Sequence, residues 1–394
     1  MPQPSQFWHP PLWKWVVVLA LLAASAVLFF RKPPAASIKV ELLPFSTTPP
    51  AWDGSYPYLV VSLDTSKPRQ VRFTSSISLF RPTTRHDTPV NQFQVDLHSG
   101  MFVLRQTDLF VPDTMPLVLT RTYRPWDSDA RAFGVGANHP YDICPTGTRF
   151  PYTYQLLNLE DDRPIYFPRI SKGTGYADAV FRHDATSSEF YGAQDAWNGN
   201  GWTLKFQDGR QFTFPEAYLA KSYAQGAPTE MRDANGNRIQ LKRDKVRNLE
   251  QLISPSGHAI SFKYDKFDRI VEANDEASDG TSRIRRYAYA FGHLQTVSDD
   301  QHVLYHFDYE PLLQARGYDP YVMTRIRDGN GKELLRNWYE IGGRVSRQQL
   351  ADGSVFHYDY LLDEKHNVRE TTVILPAGKV EIFYFNDGVP VLKK

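Results

Sequence analysis

The sequence predicts a mainly β protein: an N-terminal transmembrane helix, a small β subdomain, then a curled antiparallel sheet of repeated hairpins. Three observations carry that expectation. Residues 15–30 form an uncharged apolar run, Phe, Trp and Tyr make up 14% of the chain beside 28 prolines, and turn glycines recur at a nearly constant spacing. Aromatic and β-branched residues suit a pleated, half-buried surface. Proline breaks helices and marks turns and sheet edges.

The first element is the apolar run. Trp15 to Phe30 carries no charge, and extension back to Leu12, with Lys14 snorkelling, approaches the roughly 20 residues needed to cross hydrocarbon. Trp8, Trp13 and Trp15 stand where an interfacial aromatic belt would lie, and Arg31 to Pro34 stop the run. Ala24-Ser25-Ala26 offers a cleavage-like site, but Val27 to Phe30 carry the apolar run through it, so an uncleaved single-pass anchor over Leu12 to Phe30 is expected. Basic residues nearly balance across it. The short N-terminal tail favours a translocated body, periplasmic or extracellular.

The remaining organisation follows from composition. Residues 1–32 read as the anchor with its tail, and 33–90 as a Pro/Ser/Thr-rich tether with a small β subdomain. Residues 91–215 form a domain preceding the repeats, and 216–394 hold about six or seven repeats. Asn235-Gly236, Gly257, Gly331, Asp352-Gly353 and Gly378 each lead into a short alternating strand, with glycines mostly about 21 to 25 residues apart. Asn-Gly and Asp-Gly supply the positive φ angles of a tight hairpin turn. Ile260, Phe262 and Tyr264 share one strand face, as do Phe356, Tyr358 and Tyr360. A lone hairpin of this kind is marginal in water, so neighbouring units must pair edge to edge.

These units resemble the YD repeats of the Rhs (rearrangement hotspot) family. Tyr264-Asp265 with Phe267, Arg269 and Ile270 is the nearest copy, followed by Gly343-Arg344-Val345 with Gln349 and Ala351-Asp352-Gly353, and Tyr360 is a further repeat-motif residue. Val95-Asp96 through Pro112, then Pro116 to Arg124, Phe133-Gly134, Gly136 and His139 to Asp142, resemble the domain of unknown function that precedes such repeats. Asp208-Gly209-Arg210 resembles the lead-in to the first repeat. The resemblance implies strands spiralling into a hollow shell, which in the family sequesters a C-terminal toxin, commonly in competition systems including type VI secretion. This chain departs from the pattern: its array is short, and neither the self-cleaving closing motif nor a toxin sequence follows. A partial shell without self-proteolysis is therefore expected, and a truncated remnant of a longer gene stands as an alternative.

Composition and motifs exclude several function classes. Lys and Arg total 45 against 44 Asp and Glu, well interspersed, so no nucleic-acid stripe is expected. The lone Cys144 excludes an intramolecular disulfide framework and a cysteine-built zinc site. The Asp233 and Asp328 turns lack the ligand number and terminal Glu of a calcium loop. His302 and His306, four apart on an alternating strand, would stand roughly 13 Å from each other, too far for one metal. His139, Asp142 and Cys144 lie close in sequence without a visible oxyanion element, and Glu160 to Asp162 and Asp299-Asp300 read as solvated loops. Catalytic, cofactor and metal residues are thus expected to be none. Trp197 and Trp202 pair aromatic faces with polar turn residues and could stack a sugar or peptide, which keeps a carbohydrate-binding or adhesive protein open. Core packing is the preferred reading of both. The expected function is a non-enzymatic scaffold of the bacterial envelope. Its partners would be the membrane, and a protein partner or second copy at the exposed last strand, Val380 to Phe385.

Overall fold

The computed structural model describes residues 94–391 apart from 126, 161–163, 186–187, 218–219, 277–281, 313–320, 341 and 387–388. The expected anchor, tether and small β subdomain lie outside the described residues. Among the described residues no helix is long and apolar enough to cross a membrane.

The described residues are mainly β, with almost no helix. Strands β1 (Leu104–Val111) and β2 (Leu117–Tyr123) form a hairpin. A two-stranded ladder of β3 (Ala130–Arg131) and β4 (Gly134–Val135) follows, and β5 (Ala137–Asn138) joins the edge of β2. After a 3-10 turn at Pro140–Asp142, β6 (Cys144–Gly147), β7 (Tyr154–Asn158) and β8 (Pro164–Pro168) make a three-stranded sheet.

One long antiparallel sheet takes up the rest. It opens with β9 (Val180–Arg182), β10 (Gln194–Trp197), β11 (Gly201–Lys205) and β12 (Gln211–Pro215), then passes the short helix α1 (Tyr223–Gly226). It continues through β13 (Glu230–Arg232), β14 (Arg238–Arg243), β15 (Leu249–Ile253), β16 (Ala259–Tyr264), β17 (Ile270–Glu276) and β18 (Ser282–Ala290). Then come β19 (His293–Ser298), β20 (Val303–Pro311), β21 (Tyr321–Asp328), β22 (Glu333–Tyr339) and β23 (Val345–Leu350). It finishes with β24 (Val355–Leu362), β25 (Val368–Ile374), β26 (Val380–Asn386) and β27 (Val389–Val391). Each strand pairs with the next in sequence. Read as a ring, the strand order would set the last strand beside the first. The residue registers supply no such pairing among the described residues, and the sheet is not closed.

Turn chemistry fixes the registers. In the turn that starts at Asp233, the N–H of Gly236 donates to the Asp233 carbonyl at 3.2 Å, and the Asp233 N–H donates to the Asn237 carbonyl at 3.1 Å. The same pair of bonds closes the turns at Asp244, Ser254, Asp265, Asp328, Glu340, Leu350, Asp363 and Leu375. The fourth residue takes a positive φ, as at Gly257 (92°), which marks three-residue loops with a bulge; in the Glu340 turn Gly342 is left-handed as well. In the Asn235-Gly236 pair the positive φ belongs to Gly236. A type I turn keeps φ negative at both central residues, and the bulge residue that follows takes the positive φ.

Alternation then sorts the faces. Ile260 and Phe262 are buried while Lys263 is exposed, and Phe356 and Tyr358 are buried while His357 and Asp359 are exposed. The buried residues of β14 to β26 join one core with Val95, Leu97, Phe102, Leu109, Leu117, Leu119, Tyr123 and Phe133. A second core holds Phe167, Phe181, Phe190, Trp202, Leu204 and Phe214. The bare edge expected at Val380 to Phe385 is covered at one end, because β27 pairs with Tyr384, Phe385 and Asn386.

Candidate functional site

The residues of interest lie where segment 95–142 meets the buried face of the repeat sheet. The β1–β2 hairpin turns Leu104, Leu109, Leu117 and Leu119 into the shared core, with a bulge between Thr107 and Leu109 bringing Leu109 to the face of Leu104. The same alternation carries Arg121 inward, where it is fully buried. Its Nε donates to Asp108 Oδ2 at 3.1 Å, and its Nη2 donates to Gln106 Oε1 at 2.9 Å. The Tyr287 hydroxyl, on β18, donates to the same Asp108 oxygen at 3.0 Å. The guanidinium also stands 5.1 Å from the Phe307 ring centroid, a cation–π contact. Burial works against the Arg121 charge, but the adjacent Asp108 outweighs it and holds the arginine above its ordinary pKa. The result is a charged pair sealed inside an aromatic core.

Backbone contacts repeat this docking along the curl. The Val345 N–H donates to the Gly100 carbonyl at 2.8 Å, and the Ile270 N–H donates to that of Ala132 at 2.7 Å. Met323 donates its N–H to the Tyr123 hydroxyl at 3.0 Å, and the Thr371 hydroxyl donates to the Leu97 carbonyl at 2.6 Å. Arg243 reaches Asp142 at 2.9 Å. Gly134 shows how close the two parts come, since a Cβ there would lie 2.5 Å from the Gly292 carbonyl oxygen. Strands from β14 to β25 therefore hold one N-terminal segment as a shared central filling.

The repeat residues form two rows with separate tasks. Tyr264 donates its hydroxyl to the Leu249 carbonyl at 2.8 Å, Tyr339 to that of Met323 at 2.6 Å, and Tyr360 to that of Val345 at 2.7 Å. Tyr289 makes the same bond to Ile270. Burial raises all four hydroxyl pKa values, so they remain donors at neutral pH. The aspartates stand in the turns. Asp265 Oδ1 accepts the N–H groups of Phe267 and Arg269, and its other oxygen pairs with the Arg269 guanidinium. Asp233, Asp244, Asp328 and Asp363 accept the same two N–H groups of their own turns. Thus four tyrosines tie their strands to the neighbouring strand, and an aspartate holds five of the turns. Asn235, Gly236, Gly257, Gly331 and Gly353 occupy turns, and the stem of Arg344 packs against Gly100.

The other sequence candidates fall out as follows. His139 Nε2 stands 3.9 Å from Asp142 Oδ2, beyond hydrogen-bond reach. Burial pushes His139 below its ordinary pKa and the Cys144 thiol up to about 12, which leaves the thiolate scarce at neutral pH. Trp202 is buried against Phe181, and Trp197 packs edge-on to Trp202 and Tyr176. Glu160 is buried, while Asp161 and Asp162 lie outside the described residues. His302 precedes β20 and His306 lies within it, and no described cluster of three His, Cys, Asp or Glu could hold a metal.

Residues 93–167 match a family model described as Domain of unknown function (DUF6531). The matched stretch covers the β1–β2 hairpin and the Arg121–Asp108 pair. Among solved structures, the chain is similar to "Crystal Structure of TcdB2-TccC3-TEV" at 12% identity, over 71% of this chain and 19% of that one, with a TM-score of 0.29. "Crystal Structure of TcdB2-TccC3" gives 14% identity over the same shares, with a TM-score of 0.28. The chain thus spans about a fifth (19%) of the length of these structures' matched chain. A porin-like protein from Bacteroides uniformis gives 11% identity over 79% of this chain and 95% of that one, with a TM-score of 0.20. No curated protein matches the chain in sequence.

Two features escaped the sequence reading. The Arg121–Asp108–Tyr287 triad joins positions 179 residues apart, which no local pattern reports. Asp195 is buried with no hydrogen-bond partner for Oδ1 among the described residues, and burial pushes its carboxyl up to about 8. Its place in Asp195-Ala196-Trp197, opposite Leu204 and Phe181, was the available signal.

Proposed function

We propose that this chain is a non-enzymatic, membrane-anchored Rhs-like scaffold or interaction protein of the bacterial envelope, serving toxin delivery or competition between bacteria. The observation that carries the reading is the filled curl: residues 95–142 share one core with β14 to β26. A sheet packed around its own N-terminal segment suits holding and presenting better than enclosing cargo. The family match over residues 93–167 supports the Rhs relation, and the apolar run Leu12 to Phe30 supports the anchor. Association with a longer Rhs chain or a second copy would use the sheet edge at Val380 to Ile382, whose outward side chains are half exposed.

The experiment is envelope fractionation of the expressed full chain, with protease added to intact cells and to spheroplasts. Membrane-bound chain cleaved only in spheroplasts supports a periplasmic scaffold. Membrane-bound chain resistant in both moves the body to the cytoplasm, and chain recovered soluble in every fraction removes the anchor.

A further inference from the structure

The hairpin turns alternate between two rims of the long sheet, and the rims differ. On one rim stand the turns at 233–237, 254–258, 299–302, 328–332, 351–354 and 375–379, and none of them carries an exposed large apolar side chain among the described residues. On the other rim three neighbouring turns do: Val246 is 57% exposed, Phe267 62% and Phe291 97%. The three are adjacent in space. Asn248 donates to Asp268 at 2.8 Å across the first two turns, and the Arg269 guanidinium lies over both Phe267 and Tyr289. Two strands separate successive tips, a spacing of roughly 10 Å.

Phe267 carries Arg269 and Lys266 over its ring and still leaves most of its surface open, while Val246 and Phe291 are open as well. Phe291 adopts a φ of 51°, a region that disfavours a bulky side chain, and almost all of its surface is open. Charge supplies the direction. Exposed lysines precede two of the tips, as Lys245-Val246 and Lys266-Phe267, and neither has a carboxylate partner among the described residues. The turns 244–248 and 265–269 together carry Lys245, Arg247, Lys266 and Arg269 against Asp244, Asp265 and Asp268, a small positive excess.

We propose that this rim is a contact surface for an anionic lipid bilayer, with Val246, Phe267 and Phe291 entering the interface and Lys245 and Lys266 meeting the headgroups. Separate tips about 10 Å apart suit a deformable bilayer better than a protein partner, which needs a continuous complementary patch. Apolar tips beside cations combine interfacial burial with attraction to acidic lipid. The contact stands independently of the N-terminal anchor, since it rests on the turns alone.

The test uses the full chain reconstituted in vesicles, with an environment-sensitive fluorophore on Phe267→Cys or Phe291→Cys. Asn330→Cys, on the opposite rim, is the control, and the buried Cys144 escapes labelling. In vesicles rich in phosphatidylglycerol, lipids brominated in the acyl chain should quench positions 267 and 291 at least about threefold more than position 330. Lys245→Glu with Lys266→Glu should remove most of that difference. Equal quenching at all three positions overturns the proposal. So does a signal that follows protein concentration without lipid, which assigns the rim to self-association. Failure of the chain to insert through residues 12–30 would overturn the anchor while leaving the rim signal readable.

Discussion

The repeat sheet and the segment it surrounds are stabilised in opposite ways. In the sheet, one local rule recurs: a tyrosine hydroxyl bonds a carbonyl of the neighbouring hairpin, and an aspartate holds the turn. Segment 95–142 meets the sheet through contacts that occur once and join distant positions, as Asp108 does with Tyr287. Repetition spreads stability over many equivalent bonds, so each is modest. A buried charge network concentrates it in a few groups whose removal leaves a partner stranded.

The largest effect is therefore expected in the segment. Arg121→Met leaves the Asp108 carboxylate buried and unpaired, and should lower stability by about 3–5 kcal/mol in urea denaturation. Adding Asp108→Leu should recover much of that loss. A single-variant loss under about 1 kcal/mol would erase the contrast between the two regions.

Asp195 sharpens the same point with the opposite sign. Its folded carboxyl is raised to about 8, above an ordinary value of 3.8, so the native state holds a proton that the unfolded state lacks across that window. Stability then falls as pH rises from about 4 to about 8. Asp195→Asn should be more stable than the parent at pH 8, on the order of 2–4 kcal/mol, with the gain vanishing near pH 4. Melting curves across that range check the slope.

Smaller effects belong to the repeats. Tyr360→Phe removes a bond and leaves the Val345 carbonyl short of a partner, costing about 1 kcal/mol. Tyr309 has no hydrogen-bond partner for its hydroxyl among the described residues, so Tyr309→Phe should be neutral or slightly stabilising. Equal losses in the two variants would show that the tyrosine row does not depend on its hydroxyl bonds. Smallest is the turn itself. A Cβ at Gly257 meets nothing within 4 Å, so Gly257→Ala isolates the cost of a left-handed residue, about 1 kcal/mol. His366, held at a φ of 63°, should respond in reverse, with His366→Gly gaining about 0.5 kcal/mol.

These differences also explain what the sequence revealed. Ile260, Phe262 and Tyr264 were legible as one face because strand period and burial coincide. Gly236, Gly257, Gly331 and Gly353 were legible because glycine advertises a positive φ. His366, Asp268 and Arg247 adopt the same conformation without that advertisement, so their turns were hidden. Arg121 gave no hint of burial, because the Tyr287 that bonds its partner Asp108 comes from a strand far along the chain. The covering of Asn386 by Val389 was missed because a three-residue strand has too little pattern to read.

The central claim is that segment 95–142 is a permanent part of the sheet's core, and hydrogen exchange on the full chain tests it most directly. The amides of β2, together with Ile270, Met323 and Val345, which donate to the segment, should exchange only with global unfolding and at one common free energy. Fast exchange in 101–123 while β16 to β25 stay protected would contradict the account, because the sheet would then keep its fold without its filling.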